Sequence, residues 1–194
     1  MTAIESIRRA YDRWSDHYDD EHNPTRDLDG AFVRALDQQW RNVSVLELGC
    51  GTGKNSAYLV SAGARLIGLD YSLGMLSKAQ QRLGQTGAGF LRHDICRPLP
   101  FAAGQFQVVL CNLVLEHIQN VAPLMGEVAR VLCVGGRFVL SEYHPYRSFA
   151  GKGANFTDGE GSVRLQTYLH STAEFVNAGI AAGLRVCRLG EHSD

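Results

Sequence analysis

Residues 43–59, "VSVLELGCGTGKNSAYL", give the clearest indication of the fold. An apolar run typical of a buried parallel strand leads into glycines at every second position, Gly49, Gly51 and Gly53, and a segment of helical period follows. Glycines let the backbone turn sharply and approach a ligand closely, and the next helix offers unpaired N–H groups. The pattern predicts a strand, a tight turn and a helix beside a small nucleotide-like ligand.

Two better-known glycine motifs do not fit this turn. A nicotinamide dinucleotide fingerprint would need a further glycine at position 54, which is Lys54. A Walker phosphate loop would need Gly-Lys-Ser or Gly-Lys-Thr at its own spacing, which is missing. A purely structural turn stays open as an alternative, because a glycine-rich turn alone is weak support for a ligand.

Asp70 supplies the second feature, since it ends the apolar run "LIGLD" roughly 20 residues after the turn. A carboxylate at the end of the second strand can accept hydrogen bonds from both hydroxyls of a ribose. Asp70 could instead cap the next helix, but Ser72 is already placed for that role. Turn and acid together predict a ligand that contains adenosine or a similar group.

The rest of the chain alternates short apolar runs with longer amphipathic ones, which predicts an α/β fold with a doubly wound, mostly parallel sheet. The predicted strands are Val43–Leu48, Arg65–Leu69, Gly89–Arg92, Phe106–Cys111 and Arg137–Ser141. The predicted helices between them are Lys54–Ala62, Leu73–Arg82 and Val121–Leu132. Another helix is expected to start at the Asn23-Pro24 pair, and a later one at Ser171. A chain of 194 residues is expected to form a single domain.

Composition excludes several classes of partner. The 19 basic and 20 acidic side chains give a formal charge of -1, so we expect no nucleic-acid partner. No apolar stretch reaches the ~20 residues of a membrane span, and we expect a cytoplasmic protein. Cysteines without CxxC spacing predict free thiols. His17 and His22 flank acidic residues, but their spacing does not place two ligands on one helix face, so no metal is expected.

Four motifs in order carry a family resemblance, namely "VLELGCGTG", "GLDYSLGML", "FLRHDICRPLPFAAGQFQVVLCNLVLEHI" and "VARVLCVGGRFVLSEYHP". The segment from Val43 to Pro145 resembles the class I S-adenosylmethionine-dependent methyltransferases, especially the small-molecule branch that includes the ubiquinone and menaquinone enzymes. The resemblance implies S-adenosylmethionine as cofactor and a Rossmann-like fold.

The resemblance also implies roles for individual residues. Glu47 and the glycines would line the methionine end of the cofactor, and Asp70 would hold the ribose. Tyr71 and Met75 would flank the adenine, Asp94 would bond its exocyclic amine, and the Ile95 backbone would lie nearby. Asn112 would lie near the methionine amino group. Relatives often begin with an aromatic segment that folds over the cofactor, so Tyr18 is our expected lid contact.

Methyl transfer needs the donor carbon and the acceptor atom in line and water excluded, and it needs a base if the acceptor is a hydroxyl or an acidic carbon. His144, just after the fifth predicted strand, is our first candidate for that base, and His117 is the second. We expect a small-molecule acceptor. Two alternatives stay open: a non-catalytic protein that binds S-adenosylmethionine as a sensor or partner, and, less favoured, a nucleic-acid methyltransferase.

We expect the single domain to have three parts: a helical cap or lid at 1–42, a cofactor-binding core at 43–145, and a substrate-side loop with a C-terminal strand at 146–194. Gly151–Ser162 is expected to be a glycine-rich loop. Leu184–Leu189 matches a sixth strand, and too few residues follow it for a buried seventh. We therefore expect a truncated C-terminal hairpin and six core strands. The fifth strand would have an open edge through which a homodimer can form, unless Val163–His170 takes the vacant place as an edge strand.

Overall fold

The computed structural model describes residues 2–20, 22–146, 155–158 and 161–192. Its core is a five-stranded parallel sheet in the order β3-β2-β1-β4-β5. The strands are β1 (Ser44–Leu48), β2 (Arg65–Asp70), β3 (Gly89–Arg92), β4 (Phe106–Asn112) and β5 (Leu132–Ser141). The strand order reverses between β1 and β4, and ligands of doubly wound sheets bind in the crevice at that point. The predicted fold class is confirmed.

Helices cover both faces of this sheet. They are α1 (Ala3–Trp14), α2 (Pro24–Arg34), α3 (Lys54–Ser61), α4 (Leu73–Leu83), α5 (Ala122–Val131) and α6 (Thr172–Ala181), and a 3-10 turn spans Leu115–His117. Asn23, Ser72 and Ser171 each accept a hydrogen bond from the backbone N–H three residues later, at 3.1 Å. These caps fix the starts of α2, α4 and α6 where the sequence predicts them.

Neighbouring residues of the central strands pack into two separate apolar layers. Leu46 and Val109 join the layer formed with α5. Val45 and Val108 join the opposite layer, in which Trp40 is also buried. Because side chains alternate across a strand, a sheet covered on both faces needs continuous apolar runs, and these are the runs that predict β1 and β4.

The N-terminal helix α1 docks against the start of α4. The Asp12 carboxylate accepts hydrogen bonds from the Ser72 hydroxyl at 2.7 Å and from the Gly74 backbone N–H at 3.1 Å. A negative charge is favourable at this end of a helix. A Cβ on Gly74 would overlap the Ser15 hydroxyl, so glycine is needed for the close approach.

The predicted sixth strand, Leu184–Leu189, is wrong. The structure assigns no strand to these residues, and within the described part of the chain β5 pairs only with β4. Leu184 instead packs against the apolar layer of α5, while Val186 and Leu189 are exposed. One anchoring side chain followed by exposed ones does not provide the covered face that an added strand of this sheet would need.

The alternative strand, Val163–His170, is wrong for most of its length. Only its first two residues are in β7 (Gly161–Arg164), which pairs antiparallel with β6 (Asn155–Asp158) in a separate hairpin. The backbone N–H of Tyr168 donates to the Glu116 carbonyl at 2.7 Å, so this segment bonds to the 3-10 turn and not to β5. The expected loop Gly151–Ser162 includes β6 and the start of β7, and its other residues lie outside the described ranges.

Candidate functional site

One cavity lies at the carboxyl ends of β1, β2 and β4. The expected cofactor contacts that line it are Tyr18, Glu47, Gly49, Gly51, Asp70, Tyr71, Met75, Asp94, Ile95 and Asn112. Gly53 is not in the lining. It precedes α3, and a Cβ there would lie 3.2 Å from the Cβ of Ala79, so Gly53 permits close packing of α3 on α4.

The glycine turn holds its backbone in the left-handed region at Gly49 (φ 68°), Gly51 (φ 53°) and Gly53 (φ 79°). A Cβ on Gly49 would overlap Val114, whereas a Cβ on Gly51 would meet no atom within 4 Å. Gly49 is therefore required by packing inside the protein. Gly51 lines the cavity, and the space beside its Cα is open.

Asp70 is joined to the glycine turn by its carboxylate. One oxygen accepts the Gly51 backbone N–H at 2.9 Å, and the other accepts the Ser72 backbone N–H at 2.8 Å. Burial raises the pKa of Asp70 to about 6, although these hydrogen bonds lower it. Each oxygen keeps further acceptor capacity, which suits a pair of ribose hydroxyls.

The residues expected around an adenine also line the cavity. Met75 is buried, and the Tyr71 hydroxyl donates a hydrogen bond to Glu5 of α1. The Arg92 guanidinium lies 5.1 Å from the centre of the Tyr71 ring. Asp94 accepts the Cys96 backbone N–H at 3.0 Å, which fixes the loop after β3.

Glu47 and Asn112, on the neighbouring strands β1 and β4, line the end of the cavity that lies away from β2 in the strand order. Burial raises the pKa of Glu47 to about 8, and its Oε2 accepts a hydrogen bond from the Ser56 hydroxyl. The side-chain oxygen of Asn112 is buried and has no hydrogen-bond partner among the described residues. A ligand with a cationic donor would meet an unused acceptor and a carboxyl group here, so these residues fit the methionine end of S-adenosylmethionine.

Sequence reasoning missed Asp29 of α2. It is buried, it lines the cavity, and its carboxylate accepts hydrogen bonds from the amides of Asn55 and Asn112 at 2.9 and 2.7 Å. Its signal in the sequence is an acidic residue four positions before the buried Val33, on the same helix face.

The segment after α1 is fastened to the glycine turn through Asp19. Its carboxylate accepts the Thr52 hydroxyl at 2.9 Å and pairs with Arg82 at 2.6 Å. His17 and His22 pair with Asp20 and Asp27. Across the described ranges, no group of His, Cys, Asp and Glu side chains is arranged to hold a metal ion.

His117 lines the cavity and contacts Tyr11 of α1. Its Nδ1 lies 3.1 Å from the Gln166 carbonyl oxygen, and its Nε2 lies 2.9 Å from the Tyr11 hydroxyl. Because a carbonyl only accepts, Nδ1 carries the hydrogen and Nε2 accepts the Tyr11 O–H. Burial lowers the pKa of His117, so the ring is neutral and its basic nitrogen is held by a cavity-lining hydroxyl.

His144 is not part of the cavity wall. It is exposed, and its Nε2 lies 3.2 Å from Glu191. Its place after β5 is as expected, but the side chain pairs at the surface. The structure therefore gives no positional support for His144 as the base.

Comparisons with known proteins agree with this geometry. A family model described as a methyltransferase domain matches residues 46–140. The demethylmenaquinone methyltransferase of Thermobifida fusca (strain YX) is 36% identical over 116 residues, which cover 58% of this chain and 48% of that protein. The malonyl-acyl-carrier-protein O-methyltransferase of Methylovorus sp. (strain MP688) is 32% identical over 148 residues, which cover 72% of this chain and 50% of that protein.

Among solved structures, an S-adenosylmethionine-dependent methyltransferase from Mesorhizobium loti is similar with a TM-score of 0.67 and 25% identity, covering 79% of each chain. The chain spans about half the length of the curated relatives it matches. Where the described residues form helices, none is long and apolar enough to cross a bilayer. By its motifs, its fold and these matches, the chain is similar to the S-adenosylmethionine-dependent methyltransferases, and residues 46–140 match a methyltransferase domain.

Proposed function

We propose that the chain transfers a methyl group from S-adenosylmethionine to a small-molecule acceptor that enters this cavity. The main support for this proposal is that the glycine turn and Asp70, both expected to contact the cofactor, meet in one wall of the cavity. The Gly51 backbone N–H donates to the Asp70 carboxylate at 2.9 Å. The unpartnered Asn112 oxygen adds an acceptor for a cationic donor at the far end of the same cavity.

The cofactor supplies an electrophilic methyl group on a sulfonium, so no covalent enzyme intermediate is needed. In our proposal, Asp70 binds the ribose hydroxyls, Tyr71 and Met75 flank the adenine, and Asp94 binds the adenine amine beside the Ile95 backbone. Glu47, the glycine turn and Asn112 hold the methionine moiety, and Tyr18 covers it. These residues fix the position of the donor carbon, which is the main requirement of an in-line displacement.

The remaining wall suits an acceptor with apolar surface. Ile4 and Ile7 of α1 and Val114 and Ile118 near the 3-10 turn line the cavity without polar side-chain atoms. Apolar walls exclude water from the reacting atoms and bind the carbon skeleton of an acceptor. The relatives named above, a demethylmenaquinone methyltransferase and a malonyl-acyl-carrier-protein O-methyltransferase, act on different acceptors.

We propose His117, and not His144, as the proton acceptor for an acceptor that loses a proton. The acceptor would give its proton to the Tyr11 oxygen while the Tyr11 hydroxyl proton moves to His117 Nε2. The imidazolium that forms would be stabilised by Glu116, whose carboxylate lies 4.0 Å from that nitrogen. Cofactor binding does not require this pair.

Two other functions predict different results. A sensor or partner protein would bind S-adenosylmethionine without turnover, and the closed hydrogen-bond pair of Tyr11 and His117 beside the cavity favours an enzyme. A nucleic-acid methyltransferase would need phosphate-binding positive charge, which a formal charge of -1 does not favour.

The experiment is transfer of a labelled methyl group from S-adenosylmethionine to metabolite extracts, with Asp70→Ala as the matched variant. We expect label in a small-molecule product with the wild-type chain and much less with the variant. Label in added nucleic acid would contradict the proposed acceptor class. Binding of the cofactor without any transfer would favour the sensor.

We also propose self-association through the free edge of β5. Within the described residues β5 pairs only with β4, and its residue Val134 is fully exposed. Unpaired edges pair readily with other chains. Sedimentation of the wild-type chain against Val134→Lys tests this proposal, and a monomer at all concentrations would contradict it.

A further inference from the structure

The amide of Asn112 takes part in a closed ring of hydrogen bonds with Asp29 and Ser141. Its Nδ2 donates to Asp29 Oδ1 at 2.7 Å and to the Ser141 hydroxyl oxygen at 2.7 Å. The Ser141 hydroxyl donates in turn to the same oxygen of Asp29. Both hydrogens of the amide and the hydroxyl hydrogen are used. Of the side-chain polar atoms of Asn112, Asp29 and Ser141, the Asn112 oxygen is the one without a hydrogen-bond partner among the described residues.

Asp29 determines which way this amide faces. An ionised carboxylate only accepts hydrogen bonds, so turning the amide over would bring two acceptors together and lose the Nδ2 bond. The carboxylate itself is held in place, because its second oxygen accepts the Asn55 amide at 2.9 Å and the residue is only 8% exposed. A buried charge on α2 therefore sets the direction of an amide on β4.

The fixed direction leaves a buried acceptor at the cavity. Asn112, Asp29 and Asn55 all line it, and the Asn112 oxygen has no partner among the described residues. A buried acceptor without a partner costs free energy, which a bound donor would recover.

The chemistry of this end of the cavity selects a cation as that donor. The Asp29 carboxylate lines it beside the Asn112 oxygen, and a positively charged donor gains from a nearby carboxylate. Asn112 ends β4, whereas Asp70 ends β2, and β1 lies between these two strands. A ligand whose ribose is at Asp70 would thus reach Asn112 with its other end.

We propose that Asp29 is a positioning residue that holds the Asn112 oxygen as the acceptor for the ammonium group of the cofactor's methionine moiety. This assignment rests on the proposed function of the cavity. Asp29 acts through Asn112 and so determines how well the chain distinguishes the complete cofactor from adenosine compounds that lack the amino acid.

The test compares two ligands by calorimetric titration: S-adenosylhomocysteine, and 5′-methylthioadenosine, which keeps the adenosine and the sulfur but has no amino-acid group. For Asp29→Asn we expect S-adenosylhomocysteine to bind about tenfold more weakly and 5′-methylthioadenosine to change by less than about twofold. The matched control is Asp27→Asn, an exposed acid on the same helix, for which neither affinity should change.

Two further variants guard against a trivial loss of folding. Ser141→Ala opens the hydrogen-bond ring at a residue outside the cavity wall, and we expect a loss of about threefold for S-adenosylhomocysteine alone. In the double variant Asp29→Asn with Asn112→Ala, the loss should not exceed that of Asn112→Ala, because Asp29 acts through that amide.

Equal weakening of both ligands by Asp29→Asn, or additive losses in the double variant, would overturn the positioning role. Unchanged binding of S-adenosylhomocysteine by Asp29→Asn would overturn it as well. Failure of the wild-type chain to bind either ligand is a different result, because it would overturn the proposed function and this inference together.

Discussion

We divide the cavity wall into a proposed cofactor half around Gly51 and Asp70 and a proposed acceptor half around Tyr11 and His117, and the two are assembled in different ways. In the cofactor half, the Gly51 N–H and the Asp70 carboxylate that it contacts are 19 residues apart. In the acceptor half, Tyr11 and His117 are 106 residues apart, and His117 and Gln166 are 49 apart. The Gly51–Asp70 contact of the first half comes from one strand-turn-helix-strand unit, whereas the contacts of the second half depend on α1 and the segment after β7 docking on the 3-10 turn. We infer that the first binds the cofactor and the second acts on the acceptor.

The largest effect that separates the two halves is expected at His117. His117→Ala should slow turnover on the acceptor by about 100-fold, because a positioned base contributes that much to proton transfer, and it should leave the affinity for S-adenosylhomocysteine within about twofold. Steady-state kinetics and calorimetry measure the two quantities. His144→Ala is the matched control, with turnover expected within about twofold. Normal turnover of His117→Ala together with slow turnover of His144→Ala would identify His144 as the base.

Asp70→Ala, by contrast, should weaken the affinity for the cofactor. Loss of charged hydrogen bonds to the ribose removes about 1.5 to 3 kcal/mol of binding free energy, or roughly 10- to 150-fold in affinity. Titration with S-adenosylhomocysteine measures it, and a thermal melt checks that the glycine turn still folds. Asp27→Ala, which changes an exposed acid, should bind normally. An Asp70 variant with wild-type affinity would remove the ribose contact from the account.

Two glycines, Gly51 and Gly87, separate the effect of backbone strain from the effect of cofactor contact. Gly51 and Gly87 both have positive φ, and a Cβ on either would meet no atom within 4 Å, but only Gly51 lines the cavity. Alanine at either position should cost about 1 to 2 kcal/mol of stability through the left-handed backbone. Only Gly51→Ala should also weaken cofactor binding, by about tenfold or ~1.4 kcal/mol. Equal affinities of the two variants would show that the open space at Gly51 is not used by a ligand.

The smallest effect concerns Glu47 and pH. Burial raises the pKa of this carboxyl from 4.5 to about 8 in the folded chain, so the folded state binds the proton more tightly than the unfolded state between these values. The free energy of unfolding should therefore fall as pH rises from about 5 to about 8. Glu47→Gln does not titrate and should reduce the slope of that fall by up to about 1.4 kcal/mol per pH unit. Urea unfolding at several pH values measures it, with Glu191→Gln as an exposed control, and parallel curves for wild type and Glu47→Gln would contradict the assignment.

The sequence was sufficient wherever local pattern determines structure. The glycine turn, the Ser72 cap and Asp70 follow from neighbouring residues, and the structure places them as predicted. The strand prediction for Leu184–Leu189 was wrong because an apolar run forms a strand only where the surrounding fold covers it. Val186, in the middle of this run, is exposed. The edge-strand prediction for Val163–His170 was wrong because this segment bonds to the 3-10 turn, a pairing that depends on tertiary contacts.

The candidate site divides in the same manner. Position after a strand predicts which edge of the sheet a residue reaches, and this was enough for Asn112 but not for His144, whose side chain pairs with Glu191 at the surface. Asp29 was missed because its partners, Asn55 and Asn112, come from two other elements of the fold. Side-chain direction and long-range partners are set by packing, which one sequence does not contain.

A crystal structure of the chain with S-adenosylhomocysteine would show which residues of the cavity wall bind the cofactor. We expect the ribose hydroxyls at the Asp70 carboxylate, the adenine beside Met75, and the ammonium group at the Asn112 oxygen, with Tyr11 and His117 free of cofactor contacts. A ligand whose adenosine lies against Tyr11 and His117, or whose ribose does not contact Asp70, would contradict the division of the cavity into a cofactor half and an acceptor half.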